Sequence, residues 1–403
     1  MSLQSELETL ATFTDAPPPA VTRVVYSATD LRAREYVKGL CTAAGLAIRE
    51  DAAGNIFARW QGADPALPAV ATGSHIDAIP NAGGYDGTVG VLGGLEAIRI
   101  LQRTGARPRR SIELVIFCAE EPTRFGIGCF GSRLLAGLLD PATLRDPDGR
   151  TLDDWRTAAG FHGDLAHVRL PAGRYSAFVE LHIEQGPLLE QSGVPLGIVT
   201  AIAAPASLRL WIEGEGGHAG AVLMPQRRDA FCAAAEIVLA EEAGAIATGA
   251  IDTVATAGIC EIFPGAINSI PSRVKLELDV RDIDEGRRDA VLAAIDRACE
   301  EVAARRGVTV RKELINRDAP AHCAPLVIDA LTSAAERCGL AYRKMVSRAY
   351  HDSLFMSRIA PTAMLFIPCR GGVSHRPDEF ATPEAIASGA RVLSETLALL
   401  SDL

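Results

Sequence analysis

The segment from Ile112 to Ala119 constrains the fold most, because apart from Glu113 it is an unbroken apolar run rich in β-branched residues. A strand of that composition is covered on both faces, which requires a sheet with helices above and below it. The flanking chain supplies them. Asp30–Gly45 reads as a helix, Asn55–Trp60 as a short extended run and Ala69–Ser74 as a buried strand. From Asp86 to Gly105 the apolar residues Val91, Leu95, Ile98 and Leu101 recur at helical spacing. Strands alternating with helices define the fold class as α/β, with a mostly parallel sheet flanked by helices. In such sheets the chemistry gathers at the carboxyl ends of the strands.

The middle of the chain has another rhythm. Ser207–Glu213 reads as a strand, Arg227–Ala240 as a helix and Asp252–Cys260 as a strand. Val274, Leu276, Leu278 and Val280 alternate within Arg273–Arg281, Glu285–Arg306 is helical, and Val308–Leu314 is a strand again. The order β-α-β-β-α-β is that of a ferredoxin-like α+β module. It is inserted into the larger domain, because helix–strand alternation resumes with Pro325–Gly339, Thr362–Ile367 and Pro383–Leu400. The expected division is therefore residues 1–205 with 321–403 for the larger domain, and 206–320 for the insert.

Composition narrows the function. With 50 Asp+Glu against 40 Lys+Arg the chain of 403 residues carries a formal charge of −10, which argues against a general nucleic-acid binder. It has no apolar stretch long enough to span a membrane, and Met1–Ala20 lacks the order of a signal peptide. A cytoplasmic protein is expected. The nine Cys are odd in number, scattered and free of C-x-x-C pairs, so reduced, mostly buried thiols are expected. A bound metal would then have His and carboxylate ligands.

Four segments concentrate such residues, each just after an expected strand. The first is Gly73-Ser74-His75-Ile76-Asp77 followed by Gly83-Gly84-Tyr85-Asp86-Gly87, where Asp77 can fix the His75 ring and Asp86 lies in a Gly-rich turn opening a helix. The second is Cys118-Ala119-Glu120-Glu121-Pro122, whose adjacent carboxylates repel and lose hydration unless a cation compensates. The third, Glu180 to Pro187, puts Glu180, His182 and Glu184 on one strand face; the fourth is Gly371 to His375. Singly each suits an ordinary loop. Together, three His and several carboxylates at the strand ends of one sheet suit zinc, and a pair of ions bridged by a carboxylate activates water for hydrolysis. Which of Glu120 and Glu121 is ligand and which is base stays open on this reading.

The segments GSHIDAIPNAGGYDGTVGVLGGLEAIR, AEEPTRFGIGCFGS, ELHIEQGPLLE, HAGAVLMPQRRDA, INSIPSRVKLELDVR, AYHDS and GGVSHRPDE resemble, in order, those of the hydantoinase/carbamoylase family of amidases, within the dinuclear-zinc aminoacylase-like metallopeptidases. The resemblance covers nearly the whole chain after about residue 20. It implies a zinc-exopeptidase-like catalytic domain in which the insert serves as lid and dimerisation domain. It implies two divalent ions per subunit, zinc in the first place with manganese, cobalt or nickel as chemical alternatives. It makes Asp86 the bridging ligand, with His75, Glu121, His182 and His375 completing the two spheres. Glu120 becomes the general base and Asp77 orients His75. Gln185, His218, Asn268 and Arg281 are carried over as substrate-binding residues, with Arg281 suited to a carboxylate. His218 is implied to reach the other subunit's site and stabilise the oxyanion, hence a homodimer.

The implied activity is hydrolysis of the ureido C–N bond of a small carboxylate, of N-carbamoyl-L-amino acid or allantoate type, releasing ammonia and carbon dioxide. A dipeptidase or N-acyl-amino-acid deacylase is the alternative within the same chemistry, and a non-catalytic metal- or ligand-binding dimer is the alternative outside it. Arg348-Ala349-Tyr350-His351-Asp352-Ser353 departs from the Gly-Ala-Gly-His-Asp-Ala pattern usual in the family, which bears on specificity rather than on chemistry.

Overall fold

The computed structural model describes residues 2–105 and 107–402, the side chain of Asp402 excepted. It is a mixed α/β structure that divides into two compact units. One comprises the chain up to Ala201, His322–Ser347 and His351 onward; the other comprises Ile202–Ala321 with Arg348–Tyr350.

The first unit is built on a nine-stranded sheet. At its centre Thr362–Ile367, Tyr175–Ile183, Ala69–His75 and Ile112–Phe117 lie side by side, all parallel. Outside this core the pairing turns antiparallel: Ile56–Trp60 runs against Ile112–Phe117, Ala47–Glu50 against Ile56–Trp60, and Leu196–Ile202 against Thr362–Ile367. Parallel pairing thus describes the centre of the sheet, and these three flanking pairs are antiparallel. The reason at one edge is local. The connection between Glu50 and Ile56 is too short for a crossover, so those two strands form a hairpin.

Alternate residues of the Tyr175–Ile183 strand face opposite sides. On one side Leu181 meets the helices Thr88–Arg103 and Pro383–Asp402. A Cβ added at Gly93 would fall 2.6 Å from Leu181 Cδ2 and one at Gly389 2.8 Å from its Cδ1, so glycine sets the closeness of that packing. On the other side Phe178 lies edge-on to Phe117 at 5.7 Å, in a core that includes Phe130, Leu134 and Leu135. Each fully buried side chain of this size contributes about 1.5–3 kcal/mol. With both faces covered, the open carboxyl ends of the central strands are where polar side chains collect.

The second unit is a four-stranded antiparallel sheet in the order Val254–Phe263, Arg273–Asp282, Ala204–Glu213, Thr309–Arg317. Helices Ala230–Ala247 and Glu285–Arg306 cover one face through Ile237, Val291 and Ile295, which pack on Leu208, Leu210, Ile212, Val274, Leu276, Leu278 and Val280. The strand expected at Asp252–Cys260 runs to Phe263, because its partner pairs with it as far as Arg273. Among the described residues no helix is long and apolar enough to cross a membrane.

Candidate metal centre

The strand Ala69–His75 ends in the ring of His75, which is buried. Its Nδ1 faces the Asp77 carbonyl at 3.1 Å, which assigns a proton to that nitrogen and turns Nε2 toward Asp86. His182, near the end of the neighbouring strand, repeats the device: Nδ1 faces the Ile183 carbonyl at 2.9 Å. Both Nε2 atoms point at Asp86 Oδ1, His75 at 3.4 Å and His182 at 3.1 Å. The other Asp86 oxygen, Oδ2, lies 3.4 Å from His375 Nε2, which in turn is 3.5 Å from Glu121 Oε1. Two triads result, His75–Asp86–His182 and Asp86–Glu121–His375, each with its donor atoms within 4.8 Å of one another, and they share only Asp86.

Backbone geometry sets this arrangement. Gly87, at φ +65°, opens the helix that follows Asp86, and a Cβ there would come within 2.4 Å of His75 Nε2. Ala119 adopts φ +52° so that the chain turns sharply after its strand. The Asp77 carboxylate accepts the amide hydrogens of Glu120 and Glu121 at 3.1 Å each, which holds the acidic turn beside the His75 ring. Glu120 Oε2 lies 3.8 Å from His75 Nε2, and Glu120 Oε1 accepts from the Cys129 thiol at 3.3 Å.

The electrostatics follow from burying so many like charges. Burial pushes the Glu120 carboxyl well up, with the charge of Glu121 adding to it against the pull of His75. Glu121 is raised to about 7, again chiefly by burial. Burial acts to raise Asp86 too, but the surrounding imidazoles outweigh it and hold that carboxyl well below the usual range. A hydrogen bond to Asp86 raises His375 to about 9. Imidazole nitrogens and carboxylate oxygens without a thiol are the donor set of zinc and of manganese, cobalt or nickel. A bridging group needs two oxygens facing two nitrogen-bearing sets, which is how Asp86 is disposed. The residues present therefore fit a pair of divalent ions.

A third cluster, Glu180–His182–His351, is of another kind. Both Glu180 oxygens already accept hydroxyl hydrogens, from Ser74 at 2.7 Å and Ser353 at 2.6 Å. Glu184 likewise accepts the Leu188 and Leu189 amides at the start of a short helix. Of the three residues expected on one strand face, only His182 reaches Asp86.

The remaining candidates divide between the units. In the first, Gln185 at φ +56° donates from Nε2 to Asp86 Oδ2 at 2.6 Å, and its buried Oε1 has no hydrogen-bond partner. In the second, His218 pairs with Ser269 in a two-stranded ladder, and the Ala219 amide donates to the Asn268 carbonyl at 2.9 Å. Arg281 donates to Asp279 at 2.6 Å and to the Arg348 carbonyl at 3.3 Å. The departures at 348 and 350 are anchored within the same unit, Arg348 by Asp252 and Tyr350 by Asp318. Sequence reasoning missed the grip of Asp77 on the acidic turn, the Cys129 thiol on Glu120, and Glu379, whose carboxylate accepts the amides of Tyr85 and Asp86. All three lie inside the conspicuous segments, and that proximity was the only signal they gave.

A cluster of imidazoles and carboxylates at the strand ends of an α/β sheet, buried except for the exposed His375, is a donor set of the kind that metal-assisted hydrolases use. Residues 71–399 match the family model for peptidase family M20/M25/M40, and the chain belongs to that family. It is 54% identical to a ureidoglycolate hydrolase of Arabidopsis thaliana over 99% of this chain and 86% of the relative. It is 40% identical to an N-carbamoyl-L-amino acid amidohydrolase of Geobacillus stearothermophilus over 94% of this chain and 93% of the relative. The solved structure of a hydantoinase/carbamoylase family amidase from Burkholderia multivorans superposes with a TM-score of 0.90 at 33% identity, covering 100% of this chain and 97% of that one. The protein is a hydrolase of the amidohydrolase kind that acts on C–N bonds.

Proposed function

We propose that the protein is a dinuclear-metal amidohydrolase that cleaves the ureido C–N bond of a small α-carboxylate, with ureidoglycolate the first substrate to test. The observation that carries the reading is the pair of ligand triads meeting at Asp86 with Glu120 beside them. The choice of ureidoglycolate over a carbamoyl amino acid or allantoate rests on the 54% identity to a ureidoglycolate hydrolase. In this reading His75 and His182 hold one ion, Glu121 and His375 the other, and Asp86 bridges them. Two divalent ions, zinc in the first place, would polarise the ureido carbonyl and acidify water at the site.

The chain's own residues do the rest. Glu120, raised by burial, takes a proton from the attacking water and delivers it to the departing nitrogen. Asp77 keeps Glu120 and Glu121 in place through their amides. The unpaired Gln185 Oε1 is an acceptor suited to a substrate N–H. Arg281 offers its planar fork to the substrate carboxylate. The second unit acts as lid and dimerisation domain of a cytoplasmic homodimer, with His218 and Asn268 supplying polar contacts to the substrate and His218 acting in the partner's site. Ammonia release from ureidoglycolate, allantoate and N-carbamoyl amino acids, beside free amino-acid release from dipeptides, by the metal-replete protein tests the substrate class. Glu120→Gln should lower turnover by about 10²- to 10⁴-fold with metal content retained; near-normal turnover would remove Glu120 as the base.

A further inference from the structure

Glu379 is nearly fully buried, and its contacts are hydrogen-bond donors from two distant stretches of chain. Its Oε1 accepts the amides of Tyr85 at 2.8 Å and Asp86 at 3.0 Å. Its Oε2 faces the Ser374 hydroxyl at 2.9 Å and the His375 amide at 3.3 Å. One carboxylate thus joins the turn carrying Asp86 to the turn carrying His375. Both turns need such a hold. His375 adopts φ +58°, a left-handed conformation that a non-glycine residue keeps only when its surroundings impose it. Gly83 lies so close that a Cβ there would meet Glu379 Cβ at 2.3 Å. Ser374 adds a cross-link, since its hydroxyl is 2.7 Å from Asp86 Oδ2 as well as within reach of Glu379.

We propose that Glu379 is a positioning residue that sets the separation of Asp86 and His375, and with it the affinity of the Asp86–Glu121–His375 half of the centre for its metal ion. The inference rests on the reading of those three residues as ligands. Glu379 itself touches neither substrate nor reacting atoms, and it acts through three peptide amides and one hydroxyl. Replacing one carboxylate oxygen with an amide nitrogen leaves an acceptor for one turn and removes it for the other, so Glu379→Gln should uncouple them while changing volume hardly at all. Glu379 also lines an open cleft of about 650 Å³ with Leu7, Tyr85, Pro377 and Phe380, from which water can reach the two turns when the side chain is shortened.

The test measures metal, not only turnover. Wild type, Glu379→Gln, Glu379→Ala and His375→Ala are stripped, titrated with Co²⁺, and followed by visible absorption and by bound-metal analysis after gel filtration. Glu379→Gln should bind one ion as wild type does and the second roughly 10- to 100-fold more weakly, the usual effect of losing an outer partner of a metal ligand. The absorption of that second ion should change, and kcat should recover at high added metal with KM unaltered. Should the Gln variant fail to fold, Ser374→Ala, which removes only the hydroxyl link, should shift the same binding step in the same direction. Wild-type affinity for both ions in Glu379→Gln and Glu379→Ala, alongside loss of one ion in His375→Ala, would overturn the positioning role and leave the ligand reading intact. Two ions bound normally by His375→Ala would overturn the ligand reading itself.

Discussion

The second unit and the strand ends of the first handle buried and half-buried carboxylates in opposite ways. In the second unit acids are matched to guanidinium groups: Asp282 with Arg287, Asp279 with Arg281, Glu277 with Arg209, Glu236 with Arg305 and Arg306. In the first unit the carboxylates at the strand ends face imidazoles. A guanidinium is always protonated and offers no lone pair, so it neutralises an acid permanently. An imidazole neutralises only while protonated, and on losing its proton becomes a ligand. The second arrangement is a finished structure, whereas the first can exchange protons for cations.

The contrast breaks most readily at Asp86. Asp86→Asn removes the one residue common to both triads, so bound metal should fall toward zero and turnover by several orders of magnitude, read by metal analysis beside ammonia release. Retention of both ions would refute the bridging role. A smaller effect is expected from Arg281→Ala, which leaves metal content alone and raises KM by roughly 30-fold, about 2 kcal/mol, if the guanidinium meets a substrate carboxylate. An unchanged KM would return Arg281 to a purely structural pairing with Asp279.

The smallest effect probes a buried acid of the second unit that departs from this rule. Glu241 is buried on the Ala230–Ala247 helix with Oε1 unpartnered. Burial, with the nearby charge of Asp279, raises its carboxyl to about 7 against a backbone hydrogen bond from Thr256 that works the other way. A carboxyl raised in the folded state contributes stability below its unfolded value near 4.5, and that contribution is lost as pH rises through 7. Glu241→Gln should therefore melt above wild type at pH 8 by an amount on the order of 1–2 kcal/mol, with the gap closing toward pH 5. A constant gap across that range would show that Glu241 does not titrate there.

Much of this was legible in the chain. The apolar run after Ser111 required a sheet covered on both faces, and the period of two in Val274–Val280 announced a half-buried strand. The residues of the two triads stood out because their segments lie at or just after strand ends. What remained hidden depends on pairings that no local pattern records. Glu379 lies 293 residues from the Asp86 amide it accepts, and Asp77 lies 43 from that of Glu120. The choice between Glu120 and Glu121 needed the resemblance, because adjacent acids are equivalent until the turn is seen. Hairpin pairing at one sheet edge was missed because Ala47–Glu50 is short and mostly exposed and so carries no apolar alternation that would mark it as a strand.

Gly87 carries no functional group, yet its missing Cβ is what lets the His75 ring stand where it does. A saturation screen that scores survival alone would rank position 87 beside the proposed ligands, and a chemist reading that ranking would look for a metal-binding side chain that does not exist. Separating the two kinds of intolerance takes size as the variable: at a ligand every substitution fails alike, whereas at Gly87 the penalty should grow from alanine to leucine.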